Sequence, residues 1–379
     1  MTTRSLTLQW HVTDRCDHRC LHCYMFDQST WSEGPPREMP LTQCQEVIEQ
    51  FVALCQELSA RTSVTFVPRF VLSGGDPLLH RDFWELLRLI SGVAQGTKIL
   101  GNADHLDAQT VARMGEYGVE SYQMSLDGLE IHHDSLRGAG SFARSLQGLE
   151  LVRQQGLASL VMTTVVRENM ADIPHLMELV AERQVSSFAF ARAAPFGNAR
   201  DLDVMIQPQE YRALLLAARD KELVLAAGGA TTHFAHKDHL WKLLLHELGE
   251  YRRYPHLNPG KIVDGCHVGQ SFVVLLADGT AMACRRFFSP VGRFPEQSLS
   301  DIFLRAPAMA RYRRVAGLTK CRSCELLYDC RGCPAVAHGT SGDWQAPDPQ
   351  CWRQGPRAWK GKLFRDPGSA TPVPRRPAE

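Results

Sequence analysis

The 379-residue sequence predicts an α/β protein: a parallel sheet flanked by helices, then a small cysteine-rich unit with a β-hairpin. Three observations carry this. Strand-like segments recur at similar spacing, at Leu6–Val12, Phe70–Ser73, Lys98–Asn102, Glu120–Leu126, Leu160–Val166 and Ser187–Ala191. Helix-period stretches separate them, from Thr42 to Leu58 and over 81–93, 107–117, 141–155 and 171–184, so the strands run parallel through right-handed crossovers. Finally, of 12 cysteines, three fall within residues 16–23 and seven within 266–351.

Composition narrows the function classes. At 44% hydrophobic the chain buries a large core and divides into about two domains. Lys+Arg 42 against Asp+Glu 41 leaves no electrostatic footprint for nucleic acid or an anionic membrane. No apolar run approaches the ~18 residues of a membrane span, and the start lacks the apolar core of a signal peptide. Clustered cysteines without an export signal point to metal ligation in a reducing cytoplasm.

The first segment alternates and delivers Cys16-Asp-His-Arg-Cys20-Leu-His-Cys23-Tyr24 at its C-terminal end. Three thiols spaced C-x3-C-x2-C can hold three irons of a [4Fe–4S] cluster and leave the fourth open to a substrate or cofactor. A structural zinc would want a fourth ligand, and His18 and His22 lie too close to the thiols to close a tetrahedron comfortably. The stretch resembles the cluster loop of the radical S-adenosylmethionine (radical SAM) superfamily, in which the SAM amino and carboxylate groups chelate the open iron. His22 stands where an aromatic residue is usual.

The next helix starts at a Thr42/Gln45 capping box. It carries Cys44 and Cys55, read as ordinary buried thiols. Strand two ends in Gly74-Gly75-Asp76-Pro77, where glycines let backbone approach a ligand and an acid accepts from an ammonium. By the resemblance this is the motif that holds the SAM amino group, with Asp76 one methylene shorter than the usual Glu. Later strands end in Asn102, Ser125, Asp127, Thr164 and Arg192, on the side where such sheets build their sites. The resemblance assigns Ser125 and Thr164 to the SAM carboxylate and ribose; Asn102 is read as cofactor-binding from its strand-end place, and Arg192 as serving the cofactor or the substrate. It implies a partial (β/α)6 TIM-like barrel over residues 1–225.

Residues 226–264 read as a bridge with one helix, Asp238 through Glu250. Its histidines lack the H-E-x-x-H register and are read as packing or solvated. Beyond it, Cys266 and Cys284 frame a hairpin, Phe272–Leu276 and Ala281–Cys284, turning at Asp278-Gly279. Cys321, Cys324, Cys330, Cys333 and Cys351 follow, spaced C-x2-C-x5-C-x2-C-x17-C. A zinc ribbon is the alternative for any such pair. The whole of 265–355 resembles the SPASM auxiliary-cluster domain, with a Cys330–Cys333 gap of two where three is usual. By that resemblance Cys321, Cys324, Cys330 and Cys351 ligate one cluster, and Cys266, Cys284 and Cys333 another that lacks a fourth thiolate. Residues 356–379 turn basic and proline-rich and are read as disordered.

The resemblance thus implies three [4Fe–4S] clusters, SAM, and a flavodoxin- or ferredoxin-type electron donor. Reductive cleavage of SAM gives a 5′-deoxyadenosyl radical that abstracts hydrogen from a precursor peptide, leading to a crosslink, thioether, epimer or cyclopropane. A barrel beginning near residue 6 leaves no room for a leader-binding domain ahead of it. The other readings are an anaerobic sulfatase-activating enzyme or a tetrapyrrole or small-molecule oxidoreductase, and, from another class, a zinc-binding scaffold.

Overall fold

The structure is a computed structural model that describes residues 2–25, 36–251 and 262–353. The proline-rich tail lies outside them, as does part of the bridge. The barrel elements run β1 (Thr2–Thr13), α1 (Leu41–Ala60), β2 (Val64–Gly74), α2 (Phe83–Ser91), β3 (Thr97–Leu100), α3 (Ala108–Glu116) and β4 (Val119–Ser125). They continue with α4 (Glu130–Arg137), α5 (Ser141–Gln154), β5 (Ala158–Val165), α6 (Ile173–Glu182), β6 (Ser187–Arg192), α7 (Pro208–Ala227), β7 (His233–Ala235) and α8 (Trp241–Glu247). The cysteine-rich part adds β8 (Phe272–Leu275), β9 (Thr280–Met282), β10 (Pro290–Arg293), α9 (Pro307–Arg313) and α10 (Pro334–Ser341).

These strands form one sheet in the order β10-β9-β8-β1-β2-β3-β4-β5-β6-β7, with β1 through β7 parallel, so the core is the expected TIM-like partial barrel. β1 shows why it seeds the fold. Leu6, Leu8, Trp10 and Val12 are buried toward the helical layer, where α1 offers Val47, Ile48, Phe51 and Leu54. The alternate residue Gln9 lines the barrel interior.

Four details depart from the sequence reading. The first helix begins at Leu41 behind Pro40, with no side-chain cap, so the Thr42/Gln45 box does not form. Pro40 takes the cap position because the chain is already held by the Thr13–Glu38 bridge just upstream. A 20-residue helix, α7, fills the stretch before the bridge, closed by a Gln207/Glu210 capping box. Within the bridge, β7 pairs in parallel with β6, and the helix is confined to Trp241–Glu247. The hairpin does not stand apart: β8 pairs in parallel with β1, from Thr7↔Phe272 to Trp10↔Leu275, and β9 runs antiparallel to β8. Edge pairing of this kind satisfies the backbone of β1 on both sides and carries Cys284 to the mouth of the barrel.

Candidate active site

A cavity of about 680 Å³ opens at the C-terminal ends of the strands. Its walls include Cys16, Cys20 and Cys23 on one side and Cys266, Cys284 and Cys333 on the other. Gly74, Gly75, Asn102, Ser125, Thr164 and Arg192 also line it.

The cluster loop is held by backbone contacts that only glycine allows. Gly75 N donates to Thr13 O at 2.8 Å and Asp76 N to Arg15 O at 2.7 Å. A Cβ on Gly75 would sit 2.0 Å from Arg15 O and 2.9 Å from Cys16 Cβ, and Gly74 adopts φ 141°. The glycines therefore serve close approach of the cysteine loop as well as the cavity. Asp76 is placed differently from the expectation. It is fully buried and absent from the cavity wall. Its Oδ1 accepts from Leu78 N and its Oδ2 from Asn102 N, both at 2.9 Å. It ties the end of β2 to the end of β3, and burial pushes its carboxyl up to about 6. Asn102 reaches the loop from the wall, donating from Nδ2 to Asp17 Oδ1 at 2.9 Å.

Asp127, at the end of β4, is the node beneath the thiols. Its Oδ1 accepts from Thr164 N at 2.6 Å and its Oδ2 from Arg137 Nε at 2.5 Å. His22 Nε2 lies 3.0 Å from the same Oδ2. Arg137 Nη1 also points to Cys20 Sγ at 3.7 Å. Burial pushes the Asp127 carboxyl up, but Arg137 and His22 outweigh it and hold it well below the usual carboxylate range. At Cys20, burial raises the thiol, while the charge of Arg137 and the His18 hydrogen bond bring it below its ordinary value. His22 thus occupies the usual aromatic position as a buried side chain in hydrogen-bond reach of Asp127. Arg137 and Asn198 escaped the sequence reading. Asn198 donates from N to Cys23 O at 3.0 Å and from Nδ2 to Cys20 O at 3.2 Å. No local pattern marks either residue, because each meets the loop only through tertiary packing.

The seven later cysteines fall into two groups. Burial, with Cys266 and Cys333 nearby, raises the Cys284 thiol to about 12. Burial together with Cys351 and Cys324 does the same for Cys321. Cys330 is raised beyond that by burial, with Cys351 and Cys321 among its neighbours. N–H donors are aimed at these sulfurs: Arg286 N at Cys284 Sγ (3.4 Å), Arg286 Nη1 at Cys333 Sγ (3.6 Å), Gly332 N at Cys330 Sγ (3.5 Å) and Arg353 Nη1 at Cys324 Sγ (3.5 Å). Grouped thiols, four of them each approached by an N–H donor, fit iron–sulfur clusters, whose sulfurs accept such bonds. Cys44 and Cys55 are buried on α1, in the core.

Arg192 corrects the sequence reading. It is 0% exposed, and all five guanidinium hydrogens are engaged. Nε and Nη2 donate to Asp238 at 2.9 and 3.1 Å, Nη1 and Nη2 to Asp348 at 2.8 and 2.9 Å, and Nη1 to Gln350 Oε1 at 2.8 Å. Its carbon lies 4.8 Å from the Tyr211 ring centroid. It locks the cysteine-rich segment to the barrel and has no hydrogen left for cofactor or substrate.

Residues 10–180 match the radical SAM superfamily, and residues 266–334 match SPASM, an iron–sulfur cluster-binding domain. An AdoMet-dependent heme synthase of Methanosarcina barkeri is 24% identical over 358 residues, spanning 93% of this chain and 97% of that protein. Mycofactocin maturase MftC of Mycobacterium ulcerans is 26% identical over 358 residues, spanning 91% and 87%. Among solved structures, SuiB of Streptococcus suis bound to S-adenosylmethionine superposes with a TM-score of 0.71 at 18% identity, covering 92% of this chain and 77% of that one. With both domains matched in order on one chain, this protein is a radical SAM enzyme with a C-terminal SPASM domain.

Proposed function

We propose that this enzyme modifies a ribosomally made peptide by hydrogen-atom abstraction, with SAM and peptide meeting in the cavity that both cysteine groups share. That shared cavity is the observation carrying the reading. Cys16, Cys20 and Cys23 would hold the SAM-binding [4Fe–4S] cluster. Cys266, Cys284 and Cys333 would hold a second, and Cys321, Cys324, Cys330 and Cys351 a third. When bound, the first cluster supplies the electron that splits SAM into methionine and a 5′-deoxyadenosyl radical.

The chain's own residues do the rest. Gly74 and Gly75 would let backbone approach the amino-acid end of SAM, and Asn102, Ser125 and Thr164 offer polar groups along one wall. Arg137 places positive charge beside Cys20, held by Asp127. A walled cavity keeps water from a reactive radical. The donor of the electron is a flavodoxin or ferredoxin in this reading. No helix among the described residues is long and apolar enough to cross a membrane.

The heme synthase relative favours a second reading, a carboxylate-bearing tetrapyrrole as substrate. Anaerobic assay of the reconstituted enzyme with SAM, a reductant and either the peptide encoded beside its gene or a propionate-bearing porphyrin separates the two. Stimulation of 5′-deoxyadenosine formation and a mass change in the peptide are expected. A mass change confined to the porphyrin overturns the peptide reading.

A further inference from the structure

We propose that Arg285 receives a carboxylate of the substrate, between the two thiol groups that face the cavity. The inference rests on the reading above, that SAM and a substrate occupy this cavity together. Arg285 follows Cys284 at the exit of the hairpin and lines the wall. Its guanidinium carbon lies 5.9 Å from the Tyr24 ring centroid, the outer range of a cation–π contact. Among the described residues no carboxylate or carbonyl accepts a hydrogen bond from it.

The neighbouring cations are not in that position. Arg137 is engaged by Asp127 and Arg192 by Asp238 and Asp348. Arg286 donates to the Arg192 carbonyl and to Cys333, and Lys242 pairs with Asp264 at 2.6 Å. Lys237 also has a partner. The carboxylates on the wall, Asp238 and Asp264, are taken by these same cations. His11, fully buried, is kept neutral by burial and then by the charge of Arg285. One positive charge therefore faces the cavity without a counter-ion from the described residues. A partly desolvated guanidinium is costly to leave unpaired, so a ligand that brings the anion is favoured. Its planar fork matches a carboxylate in bidentate geometry, and a single charge suits a monoanion better than a phosphate.

Position separates this carboxylate from that of SAM. Arg285 follows β9, which lies beyond β8 on one side of β1. Gly74, Gly75, Asn102, Ser125 and Thr164 sit at the ends of β2 through β5, on the other side. The group reaching Arg285 is thus an acidic side chain or C-terminus of a peptide, or an alkanoate side chain of a small molecule.

The test is equilibrium binding to the anaerobically reconstituted, SAM-loaded full chain. One probe pair is acetyl-Gly-Glu-Gly-amide and its Gln counterpart; the other is deuteroporphyrin and its dimethyl ester. At least one acid should bind roughly tenfold or more tighter than its neutral partner. R285Q should abolish that preference, and R285K, with charge but no fork, should retain only part of it. The pair showing the preference identifies the source of the carboxylate. Equal binding of acid and neutral probes to the wild type, or binding of neither acid, overturns the proposal. So does a preference that survives R285Q, or an R285Q effect on SAM affinity alone. If R285Q loses iron, R285K decides, an undiminished preference again overturning the proposal. A wild type that binds no SAM would instead overturn the reading on which it rests.

Discussion

Arg192 at the end of β6 and Asp348 near the C-terminal end of the described chain are joined by two hydrogen bonds of 2.8 and 2.9 Å, with both side chains buried. Asp348 Oδ2 also accepts from Cys333 N at 2.9 Å, so one carboxylate connects the barrel to a cavity-lining thiol. Removing it leaves a buried guanidinium short of an anion. Asp348→Ala should therefore cost about 3–5 kcal/mol by denaturant unfolding and lower the iron content. A variant with wild-type midpoint and full iron would show that the link is dispensable.

Gly75→Ala tests the loop contact. Its Cβ would meet Arg15 O at 2.0 Å, backbone against backbone, so the cysteine loop must shift. The wild type should hold about twelve irons, four per cluster. The Ala variant should lose about four and cease forming 5′-deoxyadenosine, matching the Cys16, Cys20 and Cys23 triple Ala variant. Twelve irons and normal SAM cleavage in either protein would remove the loop from its assigned place.

Asp76 gives a pH-dependent expectation. Burial raises its carboxyl from 3.8 to about 6 in the folded state. The stability it contributes is therefore full below 3.8 and is lost as pH rises through about 6, at up to about 1.4 kcal/mol per unit. Asp76→Asn lacks this titration and can accept only one of the Leu78 and Asn102 amide bonds. Its stability should fall below that of the wild type, by a margin that narrows as pH rises from 5 to 7. A constant margin would show that Asp76 titrates normally.

The group at Cys266, Cys284 and Cys333 should leave one iron open to exogenous ligand, because Cys44 and Cys55 are buried on α1. In the triple Ala variant at the N-terminal loop, electron paramagnetic resonance of the remaining clusters should change on adding a small thiol. Spectra indifferent to thiol at millimolar concentration would mean that the cluster is fully ligated by protein.

Much of this enzyme was legible in one dimension because its chemistry is local. C-x3-C-x2-C puts three thiols on one loop whatever surrounds it, and alternating strand and helix periods imply a parallel sheet without any knowledge of contacts. The glycines of Gly74-Gly75 likewise announced close backbone approach, although not that the partner was Arg15. What folding alone decided concerns residues whose partners lie far along the chain. Arg192 looked like a strand-end ligand and is a lock, because Asp238 and Asp348 come to it from 46 and 156 residues away. Asp76 looked like a ligand for an ammonium and is a buried tie, since the chain folds Asn102 onto its free oxygen. Arg137 and Asn198 carried no signal, being single polar residues that acquire meaning only against Cys20 and Cys23. The pairing of β8 with β1 decided most: hydrogen bonds between segments some 265 residues apart bring two cysteine sets to one cavity, and no spacing in the sequence encodes that distance.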